Sequence, residues 1–575
     1  MPTTVATAIA ESLRARGIAE FFGQSLPSLL VLAAEDLGIR QIVYRTENAG
    51  GTMADGFARV SRHCSVVVAQ NGPAATLLVP PLTEAAKVSI PVVAFIQDVP
   101  SPIRNKNAFQ EIDHQSLFSG CAKWFDRLDD PDRVHEYLDA AFRAATSGRP
   151  GPAVLMLPKD ILDQPAPPVP TSHNPGPPEF PLDRIRPPAD AVRSAAELLA
   201  RARRPLVVAG GGTIASDAGA ALARLSELAS LPVATTPMGK GALPDTAELS
   251  VGVVGNYMGP HGVSHGMRDW IAGVDVVLFA GSRTNENGTD GWTLFPDDAT
   301  FIHLDIDPAE IGRNYPSLRL VGDVRAGLDE LTAALRELDL SERSASRAAV
   351  TAQIARSRAA FETTTAAVRT ATSEPLRPER IADEISALLP DDAIVVADAS
   401  YSSIWVANYI RATTHSQRFL LPRGMAGLGW GLPLALGAKA ARPSAPVLCV
   451  VGDGGFAHCW SELETAVREN LDVVVVVLNN AILGFQKHAE IVQFGRPTSA
   501  VELGHVDHAQ IATACGARGQ TIHNDVELRE ALSKAIVDPT TTVLDVYTDP
   551  DAYPPITGWD TAQALTTHLA HQQSH

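Results

Sequence analysis

Short, continuous runs of apolar residues alternate with helical patterns along most of the chain. Examples of the runs are SVVVAQ (65–70), PVVAFI (91–96) and AVLMLP (153–158), whereas residues 4–17 place apolar side chains at helical spacing. Runs without polar alternation are typical of strands that are buried on both faces of a parallel sheet, with helices covering those faces. We therefore predict an α/β fold of doubly wound parallel sheets.

The same pattern divides the chain into three α/β segments. Residues 164–188 are rich in proline, which excludes a helix interior or a central strand and indicates a linker. An Ala/Ser/Arg-rich connection separates the second segment from the third. The predicted organisation is a domain over 1–163, a linker over 164–188, a domain over 189–340, a linker over 341–375, a domain over 376–549, and a tail over 550–575 that is either a lid or a disordered end.

Composition narrows the classes of partner. The net charge of −18 and the absence of a basic run longer than RARR (201–204) argue against nucleic acid as a partner. The five cysteines show no CxxC spacing and are odd in number, which suits a reducing compartment. The longest valine-rich run, VVVVVL (473–478), is too short to cross a bilayer. We expect a cytoplasmic protein without a membrane partner.

Two polar motifs follow neighbouring apolar runs of the third segment. GDGGF (452–456) ends one predicted strand, and a tandem asparagine ends the next at Asn480. Ligands of parallel sheets gather at the carboxyl ends of strands, and Mg²⁺ prefers oxygen donors. Asp453, Asn480 and the carbonyl of Ile482 are therefore a candidate metal site, with Gly452, Gly454 and Gly455 admitting a phosphate and the helix over 460–470 pointing its N-terminus at it. The alternative is a tight turn and a strand terminator.

GDG, 24 intervening residues and NN resemble the metal and diphosphate motif of thiamine-diphosphate-dependent enzymes. The resemblance extends over nearly the whole chain and implies pyrimidine-binding, central and diphosphate-binding domains. It also implies thiamine diphosphate and Mg²⁺ as cofactors. In this family two chains share each cofactor, so the resemblance implies a homodimer or homotetramer with active sites at the subunit interface.

Two further segments carry residues that the resemblance places at the cofactor. YRTENAGGTMADGFAR (44–59) is similar to the family's pyrimidine-binding segment and assigns to Glu47 the carboxylate that binds the aminopyrimidine ring and promotes proton removal. RGMAGLGWGLPLALGAK (423–439) resembles the segment beneath the cofactor. There the carbonyl of Ala426 would accept a hydrogen bond from the cofactor's 4'-amino group, and Leu428 would hold the cofactor in its bent conformation. The alternatives are a surface carboxylate at a helix start and a loop that leads into a helix.

The acetolactate-synthase-like branch is the most similar in pattern. AFQEID (108–113) resembles its AFQE motif, AKW (122–124) its active-site lysine segment, and GSRTNENG (281–288) its arginine loop. These matches make Phe109, Gln110, Lys123 and Arg283 candidate substrate-side residues, with Gln110 also a catalytic candidate. In the central domain Gly211 and Asp305 are candidates for binding ADP, a flavin or CoA, although an empty relic site is an alternative.

Departures from that branch bear on the substrate. Ala489 occupies the position at which acetolactate synthases carry a tryptophan, so we expect a larger pocket. Glu490 follows it and is a candidate general base for C–C cleavage, with a solvated helix residue as the alternative. We therefore predict a lyase that cleaves a 2-hydroxyacyl-CoA to formyl-CoA and a carbonyl compound, as in relatives of oxalyl-CoA decarboxylase. The alternatives are decarboxylation and carboligation of 2-keto acids, as in acetolactate synthesis, and a non-catalytic cofactor-binding subunit.

Overall fold

The computed structural model describes residues 3–167 and 175–557, and these residues form three parallel-sheet α/β domains. Every strand pair within the three sheets is parallel. The predicted fold class is therefore confirmed. Within these residues no helix has the length and apolar character needed to cross a membrane.

The N-terminal domain contains a six-stranded sheet with the strand order β2-β1-β3-β4-β6-β5. Its strands are β1 (Glu20–Gly23), β2 (Arg40–Val43), β3 (Ser65–Ala69), β4 (Val92–Asp98), β5 (Trp124–Arg127) and β6 (Ala153–Pro158). Its helices are α1 (Val5–Ala15), α2 (Ser28–Asp36), α3 (Glu47–Ser61), α4 (Pro73–Leu77), α5 (Val79–Val88), α6 (His114–Phe118), α7 (Val134–Thr146) and α8 (Lys159–Leu162). The predicted apolar runs coincide with β3, β4 and β6, which are almost fully buried.

The central domain has another order, β12-β11-β10-β7-β8-β9. Its strands are β7 (Pro205–Ala209), β8 (Val233–Thr235), β9 (Ser250–Val253), β10 (Val276–Ala280), β11 (Thr300–Asp305) and β12 (Ser317–Val321). Its helices are α9 (Ala189–Arg201), α10 (Gly211–Ala215), α11 (Gly219–Ala229), α12 (Arg268–Ile271) and α13 (Val324–Arg336).

The connection predicted as a linker over 341–375 is mostly one helix, α14 (Ser341–Arg369). Alanine and arginine favour helix, and α14 contains neither glycine nor proline. Val350, Ile354 and Phe361 lie on the buried side of the helix, so that it packs on the neighbouring domains along its length.

The C-terminal domain repeats the strand order of the N-terminal domain, β14-β13-β15-β16-β18-β17. Its strands are β13 (Ile394–Ala397), β14 (Arg418–Leu420), β15 (Val447–Gly452), β16 (Val474–Asn479), β17 (Arg518–Ile522) and β18 (Thr542–Tyr547). Its helices are α15 (Pro378–Leu388), α16 (Tyr401–Tyr409), α17 (Gly431–Ala441), α18 (Asp453–Phe456), α19 (Glu462–Glu469), α20 (Gly484–Phe494), α21 (His508–Ala514) and α22 (Asp525–Val537).

The N-terminal and C-terminal domains share one hydrophobic core in which α3 packs on α17. Glycines permit this close approach, because a Cβ on Gly56 would collide with the carbonyl oxygen of Leu434 and a Cβ on Gly437 with that of Met53. The tight contact fixes the two domains against each other, and with them the segments that carry Glu47 and Ala426.

Candidate active site

The two motifs of the C-terminal domain meet at the carboxyl edge of its sheet. Strands β15 and β16 are neighbours in register, with Gly452 opposite Leu478. Asp453 and Asn480 therefore come together, and with Ile482 they line a cavity of about 480 Å³. Gly452, Gly454 and Gly455 line the same cavity.

Asp453 is the buried carboxylate of this cavity, with 7% of its surface exposed. Its Oδ2 accepts a hydrogen bond from the backbone N–H of Ala481 at 2.8 Å. Burial raises the pKa of Asp453 from 3.8 to about 6, against the lowering effect of backbone N–H groups. Among the residues that the structure describes, no cationic side chain forms an ion pair with it. A buried, unpaired carboxylate beside further oxygen donors fits a cation.

The helix predicted over 460–470 is not the helix that follows the GDG motif. Residues 453–456 form the short helix α18 directly after β15, whereas the predicted helix over 460–470 begins only at Glu462. At the start of α19, the Glu462 carboxylate accepts hydrogen bonds from backbone N–H groups of the N-terminal domain. Helix propensity alone did not reveal the turn at 457–461, which separates α18 from α19.

The loop that precedes α17 forms another wall of the cavity. Ala426 and Leu428 both line it, and Ala426 has a φ of 57°, in the left-handed region that alanine rarely adopts. Asp398 supports the end of this loop, because its carboxylate accepts from the backbone N–H groups of Gly429, Trp430 and Gly431 at 3.0–3.1 Å. Burial raises the pKa of Asp398.

Asp398 was not among the predicted site residues, although it directly follows β13 and could have been found by the rule that identified Asp453. The aromatic residues that line the cavity, Tyr401, Trp405 and Phe485, were not predicted either. The Tyr401 hydroxyl lies 2.6 Å from Nδ1 of His488, which is buried on α20. These rings give the cavity apolar surface beside the polar groups at the strand ends.

The candidates of the N-terminal domain do not line this cavity. Glu47 is the first residue of α3, whose N-cap is Thr46. Phe109 is 84% exposed, and Gln110 binds its own domain through a hydrogen bond from Gln70 at 2.8 Å. Lys123 donates to the carbonyl of Ser147 at 2.6 Å, and desolvation lowers its pKa. Within one chain, these residues therefore do not share a cavity with Asp453.

The structure gives Glu490 a local role. Its carboxylate accepts from the backbone N–H of Thr498 at 2.6 Å and from Nε2 of Gln486 at 3.1 Å. These hydrogen bonds, that of Thr498 first, lower its pKa, which is unfavourable for a general base. Neither Glu490 nor the half-buried Ala489 belongs to the residues that line the cavity.

A second cavity, of about 100 Å³, lies between the central and N-terminal domains. Gly211, Arg283 and Asp305 line it together, as a shared nucleotide site would require. Burial raises the pKa of Asp305 to about 6, whereas desolvation lowers the pKa of Arg283. Among the described residues, no carboxylate forms an ion pair with Arg283. Arg149 of the N-terminal domain also lines this cavity and forms an ion pair with Glu310, with its Nη1 2.7 Å from Oε1.

The first part of the tail docks on the molecule. Ala552 lines the 480 Å³ cavity, Ile556 is buried, and the backbone N–H of Thr557 donates to the carbonyl of Asn256 in the central domain at 3.0 Å. The remainder of the predicted lid, residues 558–575, lies outside the described residues.

Comparison with known families matches all three domains. The thiamine pyrophosphate enzyme N-terminal TPP binding domain matches residues 3–117, the central domain 192–331, and the C-terminal TPP binding domain 398–546. The last match contains Asp398, Asp453 and Asn480, three of the residues that line the cavity.

Curated relatives align over almost the entire chain. A probable acetolactate synthase large subunit of Methanocaldococcus jannaschii is 32% identical over 95% of this chain and 92% of its own length. Acetolactate synthases of Arthrospira platensis and Mycobacterium bovis are 31% and 30% identical over 96% of this chain, and the matches cover 95% and 88% of those proteins. Together, the domain matches and these relatives show that the chain belongs to the thiamine-diphosphate-dependent enzymes, in their acetolactate-synthase-like branch.

Proposed function

We propose that the protein decarboxylates a 2-keto acid and joins the resulting acyl unit to a second carbonyl compound, as an acetolactate synthase does. The observation that carries the proposal is the single cavity in which Asp453, Asn480 and Ile482 meet Ala426 and Leu428. The relatives named acetolactate synthase favour this chemistry over the 2-hydroxyacyl-CoA lyase that we predicted first. The hydrogen bonds of Glu490 also speak against the lyase, because they occupy the carboxylate that would act as its base.

Magnesium is the metal that these residues would hold. The carboxylate of Asp453, the side-chain oxygen of Asn480 and the carbonyl of Ile482 are hard oxygen donors, and Mg²⁺ commonly completes its shell with diphosphate oxygens and water. Gly452 leaves open space at the strand end, because a Cβ there would meet no atom within 4 Å. The backbone can therefore approach a diphosphate closely.

When bound, thiamine diphosphate would supply a nucleophilic carbon and an acceptor for the electron pair that remains when CO₂ leaves a 2-keto acid. The chain's own residues orient it. The Ala426 carbonyl would accept from the aminopyrimidine, Leu428 would support the bent conformation, and Glu47 would hold the proton that sets the ring tautomer. Tyr401 and Phe485 would exclude water from the reacting end.

A homodimer is part of the proposal, because Glu47 does not line the cavity of its own chain. Large apolar side chains are exposed close to the candidate residues: Phe109 is 84% exposed, Met425 52% and Phe494 73%. Exposed apolar groups of this size commonly mark an interface. We propose that a second copy covers them and brings its Glu47 to the cavity, with the pairing of dimers into a tetramer as a further step.

For the central cavity we propose a nucleotide-containing ligand such as ADP, a flavin or CoA. Gly210 and Gly212 pack on Gly281 too closely for a side chain, and all three glycines line the cavity. Arg283 also lines it and supplies a cation without a carboxylate partner in the described chain. Titration calorimetry with each ligand would test this, and an R283Q variant should bind the phosphorylated ligand more weakly.

The first experiment is a product assay with thiamine diphosphate and Mg²⁺. Pyruvate is offered in one reaction and a short branched 2-hydroxyacyl-CoA in another, and products are identified by mass spectrometry. We expect CO₂ and an acetohydroxy acid from the first reaction. Formyl-CoA with a ketone or aldehyde from the second reaction, and no product from the first, would overturn the proposal in favour of the lyase.

The metal site is tested separately with D453A. We expect its affinity for thiamine diphosphate at saturating Mg²⁺ to fall at least to the level of wild-type protein treated with a chelator. A variant whose affinity equals that of the untreated wild type would contradict the assignment of Asp453 as a metal ligand.

A further inference from the structure

Glu84, on α5 of the N-terminal domain, is buried at the contact with the C-terminal domain and is only 2% exposed. Its Oε1 accepts from the backbone N–H of Gly424 at 2.9 Å, and its Oε2 accepts from that of Met425. Nη2 of Arg59 lies 3.5 Å from Oε1 of Glu84. Gly424 and Met425 directly precede Ala426, so that Glu84 holds the first part of the loop that lines the cavity.

Glu462 makes the opposite contact. It belongs to the C-terminal domain, is completely buried at the start of α19, and accepts from the backbone N–H groups of Arg45 and Thr46, each at 3.1 Å. Thr465 donates to its other oxygen at 2.8 Å. Thr46 is the N-cap of α3 and Glu47 its first residue, so that Glu462 holds the segment that presents Glu47.

We propose that Glu84 and Glu462 are a reciprocal pair of positioning residues. Each fixes, in the other domain of the same chain, the backbone segment that carries a cofactor-binding group. The contacts join residues 340 and 416 positions apart along the chain. Backbone N–H groups at a loop and at a helix start lack partners of their own, and a buried carboxylate that accepts two of them is itself satisfied.

The backbone at Ala426 shows why the loop needs this support. Its φ of 57° is unfavourable for alanine and persists only where the surroundings impose it. Glu84 holds the two residues before Ala426, and Asp398 holds Gly429 to Gly431 after it. Ala426 and Leu428, which line the cavity, lie between the segments that the two carboxylates hold.

One consequence rests on the proposed function, namely that Glu47 of each chain serves the partner's cofactor. Glu84 would then act on the cavity of its own chain, and Glu462 on the proton-transfer group delivered to the other. The two positions should therefore affect different steps. Loss of Glu84 should weaken binding of thiamine diphosphate, and loss of Glu462 should chiefly lower kcat.

Hydrogen exchange of the apoprotein tests the two contacts without any cofactor. In E84Q one of the two acceptor oxygens becomes an amide nitrogen, so exchange at Gly424 or Met425 should accelerate at least tenfold while Arg45 and Thr46 stay protected. E462A should show the reverse. E462Q should restore protection, because its remaining oxygen can accept from both N–H groups and its amide can donate to Thr465.

E464A is the matched control. Glu464 lies on the same helix and forms an ion pair with the side chain of Arg45 at 2.6 Å, but within the described residues it accepts no backbone N–H across the contact. We expect both segments to keep their wild-type protection in E464A. Equal acceleration at both segments in E84Q and in E462A, or none at either, would overturn the inference.

The kinetic test then compares the affinity for thiamine diphosphate, measured by calorimetry, with kcat for the product found above. We expect at least a tenfold weaker affinity in E84Q with a smaller change in kcat, and at least a tenfold lower kcat in E462A with a smaller change in affinity. Equal effects on both quantities in both variants would contradict the division of roles. If wild-type protein fails to bind thiamine diphosphate, the proposed function is wrong, and the exchange pattern still decides the positioning contacts.

Discussion

The N-terminal and C-terminal sheets have the same strand order, yet their corresponding strand ends do different things. After β3, Asn71 donates to the carbonyl of Gln110, and a Cβ on Gly72 would collide with Gln110. After β15, Gly452 has open space around it and Asp453 faces a cavity. The topology decides where polar groups gather, and the residue types decide whether that place is filled by the chain's own loop or left open for a ligand.

The proposed function would give these two similar domains different parts of one task. The N-terminal domain closes the end of β3 and presents Glu47 from the start of a helix, whereas the C-terminal domain keeps the end of β15 open around a buried carboxylate. Substitutions at Glu47, Asp453, Gly437 and Glu490 test this difference, and their expected effects range from large to small.

The largest effect is expected from E47Q, which removes the carboxylate that the N-terminal domain contributes. A general acid or base commonly contributes about 10² to 10⁴ in rate, so we expect kcat to fall by a factor in that range while thiamine diphosphate still binds. Steady-state kinetics and calorimetry check this. E35Q, at an exposed position of α2, serves as the control and should retain wild-type kcat. An E47Q variant with more than half of the wild-type kcat would contradict the assigned role.

D453N tests the buried carboxylate at the open strand end, because removing it should change how stability depends on pH. Because the folded-state pKa of Asp453 is about 6, above its ordinary 3.8, the native state of the apoprotein binds more protons than the unfolded state between these values. The carboxylate therefore destabilises the apoprotein increasingly from about pH 4 to pH 6 and fully above pH 6. We expect the free energy of unfolding of D453N to be roughly 2–3 kcal/mol higher than that of wild type at pH 7.5, with little difference at pH 4.

Denaturant titrations of the apoproteins at the two pH values measure this difference. Saturating Mg²⁺ and thiamine diphosphate should reverse the order at pH 7.5, because only the wild-type carboxylate would bind the metal. The same difference at both pH values would show that Asp453 is not the group responsible.

G437A tests the packing that couples the two domains. An added methyl group would collide with the carbonyl oxygen of Met53, so we expect the free energy of unfolding to fall by about 1–3 kcal/mol. Gly120 has no neighbouring atom within 4 Å of an added Cβ, and G120A should leave stability nearly unchanged. Thermal or denaturant unfolding of the apoproteins compares them, and equal stability of the two variants would contradict the tight contact.

The smallest effect is expected from E490Q. Its carboxylate holds Thr498 and Gln486 and does not line the cavity, so kcat on the substrate identified by the product assay should change by less than about threefold. A loss of a hundredfold or more would revive the general-base hypothesis.

Long apolar runs made most inner strands predictable, although the short inner strand β1, EFFG, was not predicted. VVVVVL predicted β16, and the run over 91–96 predicted β4. The outer strands β5 and β17 escaped prediction, because the sequences WFDR and RGQTI mix polar with apolar residues and their side chains are largely half-buried or exposed. An edge strand has one neighbour and more solvent, so the apolar pattern on which prediction depends is weak there.

At the site, the local motifs were informative and the distant contacts were not. Asp453 and Asn480 could be placed together because parallel strands bring their carboxyl ends to one edge. Nothing near Glu84 or Glu462 in the sequence indicates the backbone N–H groups that they accept, since those lie hundreds of residues away. The separation of Glu490 from the cavity likewise depends on the course of the 495–499 loop, which the helix pattern did not predict.

Apolar periodicity and short glycine-flanked motifs are local properties of the chain, and they were enough to predict the three α/β domains, the family and the oxygen donors of the candidate metal site. They did not predict which side chains share a cavity, which carboxylate has no cationic partner among the described residues, or which domain holds the candidate cofactor-binding segments of the other. Those features depend on burial and on hydrogen bonds between distant residues, and both arise only when the domains pack together.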